Sequence, residues 1–234
     1  MSSQKGRVPP NKLTLDETAF DILDEERAAM LGLLMADGTL TLSYGYPSLS
    51  LKLIDREPLT RLQAILKTSH KIGEVHPHLK GYVCKPQYQV RFYGLRRLGP
   101  KLQGLGLTHP NATRVPRSIP QELERHLIRG YFEGGGSCWF DARQRGVCSN
   151  FVGHPLMLGW IRLILKEAGI SGCYARSGGG DCWRIQFRDA TSKKLYHYLY
   201  DGATVILIGW KKRKFENTIS QTIKSSLVNV GEVC

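Results

Sequence analysis

Asp37 and Gly135 frame the chemical question. Asp37 nearly closes the stretch "MLGLLMADG" (Met30 to Gly38), and Gly135 holds the same place in "IRGYFEGGG" (Ile128 to Gly136). Each stretch reads as a helix that runs out into glycine. A carboxylate on the last turn of a helix is unfavourable if stability is the only concern, because the helix C-terminus already carries partial negative charge. Beside exposed terminal carbonyls, such as those of Ala36 and Gly134, it makes a good site for a hard divalent cation. Mg2+ fits that description, since it takes oxygen ligands and keeps several waters. In such a place a metal can activate water and stabilise the leaving oxygen of an in-line phosphodiester cleavage. The second copy lacks its acid at Gly135. Glu133 is the nearest replacement, but two residues along a helix is a rotation of roughly 200°. It is therefore expected to point away from the side that Asp37 occupies in its own copy.

These residues need helices to carry them. "DEERAAMLGLLMADG" has Asp24 as an N-cap, Glu25 and Glu26 in the first turn, and an apolar run up to Gly38. "IPQELERHLIRGYFEGGG" starts with Pro120 and has Glu122 and Glu124 near its start. Gly32 and Ala36 share one face of the first helix, and Gly130 and Gly134 share one face of the second. Small residues at this spacing let two backbones approach closely. A seam between the helices is preferred over separate packing of each helix on its own sheet, because the small pairs recur at matching positions.

Around the helices the chain makes two passes. "TLTLSYGY" with "PSLSLKLID", "EPLTRLQAILKTSHKIG", "GEVHPHLKGY" with "YQVRFYGL", and "RRLGPKLQGLG" read as hairpin, helix, hairpin and helix. The second pass repeats them with "SCWFDARQRGVCSNFVG", "HPLMLGWIRLILKEAGI", a hairpin turning at Gly178 to Gly180, and "SKKLYHYLYDGATVIL", followed by a basic cluster. The expected class is α+β: two pseudo-symmetric αββαββα subdomains. The boundaries are a basic arm at 1–19, a first unit at 20–104, a linker at 105–118, a second unit at 119–217 and a tail at 218–234.

Alternation places polar residues on one strand face: Ser48, Ser50 and Lys52; Gln89, Arg91 and Tyr93; Asp141, Arg143 and Arg145; Arg184, Gln186 and Arg188. These side chains suit base edges in the major groove, which admits β-ribbons. Any single such strand reads as well as an ordinary solvated face. The 33 Lys and Arg against 20 Asp and Glu give a net charge of +13, a footprint for a phosphate backbone. No apolar run reaches membrane-spanning length, and the start "MSSQKGRVPPNK" is not a secretory signal. The six cysteines lack C-x-x-C or zinc spacing, so they read as buried hydrophobes in a reducing compartment, cytoplasmic or an organellar matrix. Cys173 and Cys182 flank a hairpin and are the one pair that could join.

The two glycine-ended stretches resemble the paired signatures of the LAGLIDADG homing endonucleases, in the monomeric form with both copies in one chain. That resemblance spans roughly residues 20 to 217. It implies a β-saddle astride a long, asymmetric double-stranded DNA site, motif helices at the interface, and Asp37 as a Mg2+-binding catalytic acid. Gly135 departs from the pattern, where the family usually has Asp or Glu. The segment "NATRVPRSIP" departs too: Ala112 stands where a lysine often precedes the Ser or Thr, with Arg114 close by. "GWKKRKFE" resembles the usual basic stretch, which makes Lys211 and Lys212 the basic candidates near a scissile phosphate; a phosphate-positioning or solvated cluster is an equal reading. The implied function is an Mg2+-dependent, sequence-specific DNA endonuclease of homing type, either nicking or impaired through Gly135. The alternative is a family member without cleavage, acting as a DNA-binding protein or as a maturase on intron RNA. The ends lack the residues of protein splicing, so a free-standing protein is expected.

Overall fold

The computed structural model describes residues 14–43, 46–76, 85–109, 111–177 and 181–228. Helix α1 (Glu25–Asp37) starts where the Asp24 carboxylate accepts the Arg27 N–H at 2.8 Å. Its residues Ala28 to Met35 are all buried. A helix that is apolar on every side must be enclosed on every side. The first sheet encloses it on one flank and helix α4 (Gln121–Gly135) on another.

Both helices pass directly into strands. Strand β1 (Gly38–Ser43) begins one residue after Asp37, and β5 (Gly136–Asp141) begins one residue after Gly135. Gly38 and Gly136 have extended backbones at φ −73° and −90°. Glycine is needed there for room: a Cβ on either would stand 2.6 Å from the carbonyl oxygen of Leu34 or Phe132, to which the same residue donates its N–H. The run Gly134-Gly135 belongs to the helix itself.

The first unit continues with β2 (Tyr46–Leu53), α2 (Glu57–Ile65), β3 (Gly73–Val75), β4 (Gln87–Phe92) and α3 (Leu98–Gly104). Its four antiparallel strands lie in the order β1-β2-β4-β3. The second unit continues with β6 (Gly146–Gly153), α5 (Pro155–Glu167), β7 (Cys173–Arg176), β8 (Trp183–Arg188) and α6 (Asp189–Tyr200). Its order, β5-β6-β8-β7, is the same. The registers match as well: Gly38 lies opposite Leu51 as Gly136 lies opposite Phe151. The architecture is the expected α+β pair of αββαββα subdomains, joined through α1 and α4.

Several expected boundaries shift. The helix predicted to end at Gly73 ends at Ile65, because Lys67 turns left-handed at φ 44° and the Thr68 N–H closes back on Gln63. The last helix of the second unit ends at Tyr200 rather than near residue 208. The basic cluster is the start of a further helix, α7 (Gly209–Val228), which runs across the expected boundary at 217. Residues 14–19 are not a free arm: Ala19 is buried, and the Glu17 carboxylate accepts the N–H groups of Arg97 and Leu98 at the start of α3. Cys173 and Cys182 are both free; Cys173 pairs across the ladder with Gln186, whereas the Cys182 carbonyl faces Ser177. The arm before residue 14, the Gly178–Gly180 turn, Cys84, Cys234 and the tail beyond Val228 lie outside the described residues.

Candidate functional site

The site is built from the meeting of α1 and α4. A Cβ on Gly32 would collide with the Leu127 carbonyl oxygen, and a Cβ on Gly130 with the Ala29 carbonyl oxygen. Those two collisions are images of each other under a pseudo-two-fold axis that exchanges the helices. At the seam's end a Cβ on Gly134 would meet the Ala36 Cβ at 2.5 Å and Asp37 Oδ2 at 2.9 Å. The four small residues therefore form one seam, and Asp37 leans across it over the last turn of α4.

Each helix end is capped by a cation from far along the chain. The Lys211 ammonium, on the first turn of α7, donates to the carbonyls of Phe132 (3.3 Å), Gly134 (2.8 Å) and Gly136 (2.9 Å). The Arg114 guanidinium, from the linker, donates to Met35 (2.9 Å), Gly38 (2.8 Å) and Thr108 (3.1 Å). Cations at helix C-termini answer the negative end of the dipole. The Gly134 carbonyl, an expected metal ligand, accepts from Lys211 and would meet a metal only through its second lone pair, beside an ammonium. Burial lowers the Lys211 pKa to about 8 against the opposing pull of Asp37 and Glu133. Burial likewise lowers Arg114 to about 10.

Two clefts flank the paired helix ends. The larger, about 420 Å3, is lined by Asp37, Lys52, Asp55, Glu133, Lys211 and Lys214 among others. The smaller, about 220 Å3, holds Arg114, Gly135, Tyr131 and His154 and has no carboxylate in its lining. The pseudo-axis maps Asp37 onto Gly135 and the cap Lys211 onto the cap Arg114. One cleft thus has an acid and a lysine where its twin has a glycine and an arginine.

Asp37 is solvent-exposed at its cleft, yet the crowding walls raise its pKa, with Lys211 and then Arg114 opposing that rise. No hydrogen bond or ion pair among the described residues engages its carboxylate. An unpaired carboxylate facing solvent beside two cations is suited to a hard divalent ion, which Mg2+ commonly binds through one or two carboxylates plus substrate phosphates. No cluster of three or more His, Cys, Asp or Glu arranged for a metal occurs among the described residues. Of the carboxylates that line the larger cleft, Asp55 and Glu133 accept hydrogen bonds from the protein, so Asp37 is the one that would hold a cation, with phosphate and water completing its shell.

Glu133 does not face the seam, as its helical position requires. It is fully buried, and its Oε2 accepts the N–H groups of Leu207 (2.8 Å) and Ile208 (3.1 Å). Burial pushes its pKa up to about 7, opposed by those backbone bonds, Arg129 and Lys211. Through Oε2 it braces the segment leading into α7, and it lines the cleft of Asp37 and Lys211 rather than the smaller cleft of Gly135 and Arg114. Lys212 is directed to Glu216 at 3.8 Å and is absent from the cleft lining.

The polar strand faces divide. Leu49, Leu51, Leu53, Val90 and Phe92 are buried, while Lys52 and Arg91 are exposed on the other face, with Ser50 and Gln89 beside them. Lys52 lies opposite Gln89, and Ser50 opposite Arg91. In the second sheet Ile185 and Phe187 are buried, with Arg184, Gln186 and Arg188 on the opposite side. Ser48 shares the strand side of Ser50 and Lys52 but is buried, its hydroxyl 3.0 Å from that of Thr41. Arg143 and Arg145 are exposed but do not sit on a strand: Asp141 accepts the N–H groups of Arg143 and Gln144 and starts a turn, in which Arg145 has φ 50°. Sequence reasoning missed Asp55, Trp210 and Lys214 in the cleft, and met Arg114 only in passing.

No family model matches the chain, and no curated protein matches it. Solved structures do. The chain is similar to the LAGLIDADG homing endonuclease I-SmaMI bound to cleaved DNA, with TM-score 0.53 and 11% identity over 89% of this chain and 91% of that one. It is similar to the LAGLIDADG meganuclease I-AabMI bound to uncleaved DNA, with TM-score 0.57 and 14% identity over 87% and 92%. The LAGLIDADG homing endonuclease I-GzeII in complex with its DNA target gives TM-score 0.55 and 9% identity over 91% and 94%. The fold is that of the two-subdomain LAGLIDADG proteins across most of the chain.

Proposed function

We propose that the protein is a sequence-specific DNA endonuclease of homing type, with one working catalytic centre at Asp37 and Lys211. The observation that carries this reading is the unpaired Asp37 carboxylate opposite the Lys211 ammonium in an open cleft beside two uncovered polar strand faces. Solved neighbours of the same fold are bound to DNA, and I-SmaMI has a structure with uncleaved target and calcium ions. A divalent cation held at Asp37 would neutralise charge on the scissile phosphate and acidify an attacking water. The chain's own part is to hold that phosphate. Lys52, Lys211 and Lys214 ring the cleft with positive charge, and the helix seam fixes Asp37 against them. Ser50, Lys52, Gln89, Arg91, Arg184, Gln186 and Arg188 would face the duplex, with Arg143 and Arg145 reaching it from a turn.

Among the described residues only one of the two clefts is lined by acids, so this reading expects cleavage of one strand. The test uses supercoiled plasmid carrying the insertion site of the gene, with Mg2+ added. Relaxed circles should form with wild type and disappear with Asp37→Asn while gel-shift binding persists. If wild type and Asp37→Asn bind alike and neither relaxes the plasmid, the endonuclease reading is lost. A second reading, favoured by Gly135 and by an Arg114 wholly engaged in capping, is a protein that grips double-stranded DNA or intron RNA without cutting. That outcome of the same assay would select it.

A further inference from the structure

The Trp210 indole N–H donates to Asp55 Oδ2 at 2.6 Å. The two residues come from opposite subdomains: Asp55 follows β2, and Trp210 is the second residue of α7. Both line the cleft that holds Asp37. Trp210 is 41% exposed, so burial of its ring alone does not hold it in place. Lys211 follows it, with Nζ 5.8 Å from the Trp210 ring centre and three bonds to the end of α4. On the inner side Glu133 grips the chain at Leu207 and Ile208. The segment 207–211 is thus tethered by two carboxylates, one from each subdomain. The twin cleft has neither tether: Met35 stands where Glu133 would be, and the matched registers of β2 and β6 put Pro155 where Asp55 would be.

We propose that Asp55 is a positioning residue that, by accepting the Trp210 indole N–H across the cleft, fixes the first turn of α7 and so sets the Lys211 ammonium opposite Asp37. This rests on the reading of Asp37 and Lys211 as the cutting centre. Three bonds to the end of α4 hold the Lys211 ammonium, but its backbone rides on the first turn of α7, and ångström-scale misplacement of a reacting group lowers rate far more than binding. The hydrogen bond matters, not the charge, because a neutral amide oxygen at the same place accepts the same N–H.

The test pairs a DNA-free measurement with kinetics. In protein without DNA, acrylamide quenching attributable to Trp210, taken as the difference from Trp210→Phe, should rise in Asp55→Ala and stay at the wild-type level in Asp55→Asn. In plasmid nicking, Asp55→Ala should lower kcat about tenfold with KM within about twofold. Asp55→Asn should restore most of that loss. Trp210→Phe, at an exposed position, should reproduce the Asp55→Ala defect, and the double variant should be no worse than either single one. Wild-type nicking by Asp55→Ala or Trp210→Phe, an Asp55→Asn defect as deep as Asp55→Ala, or additive losses in the double variant would each overturn the proposal. If wild type does not nick, or Lys211→Met nicks normally, the cutting-centre reading fails. The quenching comparison in DNA-free protein then decides the Asp55–Trp210 tether on its own.

Discussion

At the scale of single residues, Glu133 is the clearest case of a carboxyl group placed for architecture. Its folded-state pKa near 7 lies above the ordinary value of 4.5. The folded state therefore binds more protons than the unfolded one between those values, so stability falls as pH rises through that window and levels off above about 7. The shift corresponds to on the order of 3 kcal/mol across the window. Glu133→Gln keeps an oxygen for the Leu207 and Ile208 N–H groups without a titrating charge. Melting temperatures of wild type and Glu133→Gln, taken from pH 5 to 8, should converge in acid and separate in base, with the variant higher in base. Parallel curves would remove the assignment. In the proposed centre Lys211 would combine capping with chemistry. Lys211→Met should abolish nicking and also destabilise the end of α4 by about 1–2 kcal/mol, as loss of bonds to a charged donor does.

At the scale of elements, the α1–α4 seam controls both stability and the site. Gly32 and Gly130 each meet a backbone carbonyl that cannot swing aside. Gly130→Ala should therefore cost about 3 kcal/mol or more, read from chemical denaturation, because the helices must separate to admit one methyl group. The change should also reduce nicking, since Asp37 would be carried away from the end of α4. At the opposite end of the seam, fully buried Arg129 meets Glu25 at 2.9 Å, and Glu25 also accepts the N–H groups of Thr204 and Val205. This network ties the start of α1 to the segment that runs on to Lys211. The depressed Glu25 pKa of about 2 reflects those bonds and the Arg129 charge overcoming desolvation.

At the scale of the whole molecule, the pseudo-two-fold axis supplies a second cleft, with Gly135 and Arg114 where the first has Asp37 and Lys211. A Cβ on Gly135 would find its nearest neighbour, the Val152 carbonyl oxygen, at 3.4 Å, an ordinary contact. Gly135→Asp should fold, at the cost of a carboxylate on the last turn of α4 of roughly 1 kcal/mol or less, and shift plasmid products from relaxed circles toward linear DNA. Unchanged product ratios would show that Arg114, or another feature of that cleft, limits the second strand. The net charge of +13 makes a further whole-molecule prediction. If several phosphates are contacted, affinity should fall about 1,000-fold or more between 50 and 200 mM salt, measured by fluorescence anisotropy. Indifference to salt would contradict duplex binding on the strand faces.

The tandem arrangement is readable from residues alone. Hydrophobic period sets which side of a helix or strand is buried, and period is local. That is why Leu49, Leu51 and Leu53 fall on the core face opposite Lys52, and why Gly32, Ala36, Gly130 and Gly134 read as a seam. Local rules also put Asp37 on the last turn of its helix and Glu133 off the seam. They fail for Arg143 and Arg145, where Asp141 ends the strand by capping a turn, and for the helix of the basic cluster, whose buried side mixes Phe215 with Thr218 and Thr222. What only the folded chain decided is which groups share a cleft. Arg114 reaches Met35 across 79 residues, and Trp210 reaches Asp55 across 155. Contacts that far apart depend on how two finished subdomains dock, and no local period encodes them. The docking packs two helices so closely that their ends become neighbours. That closeness gives Asp37 a lysine from the far end of the chain and leaves Gly135 facing an arginine.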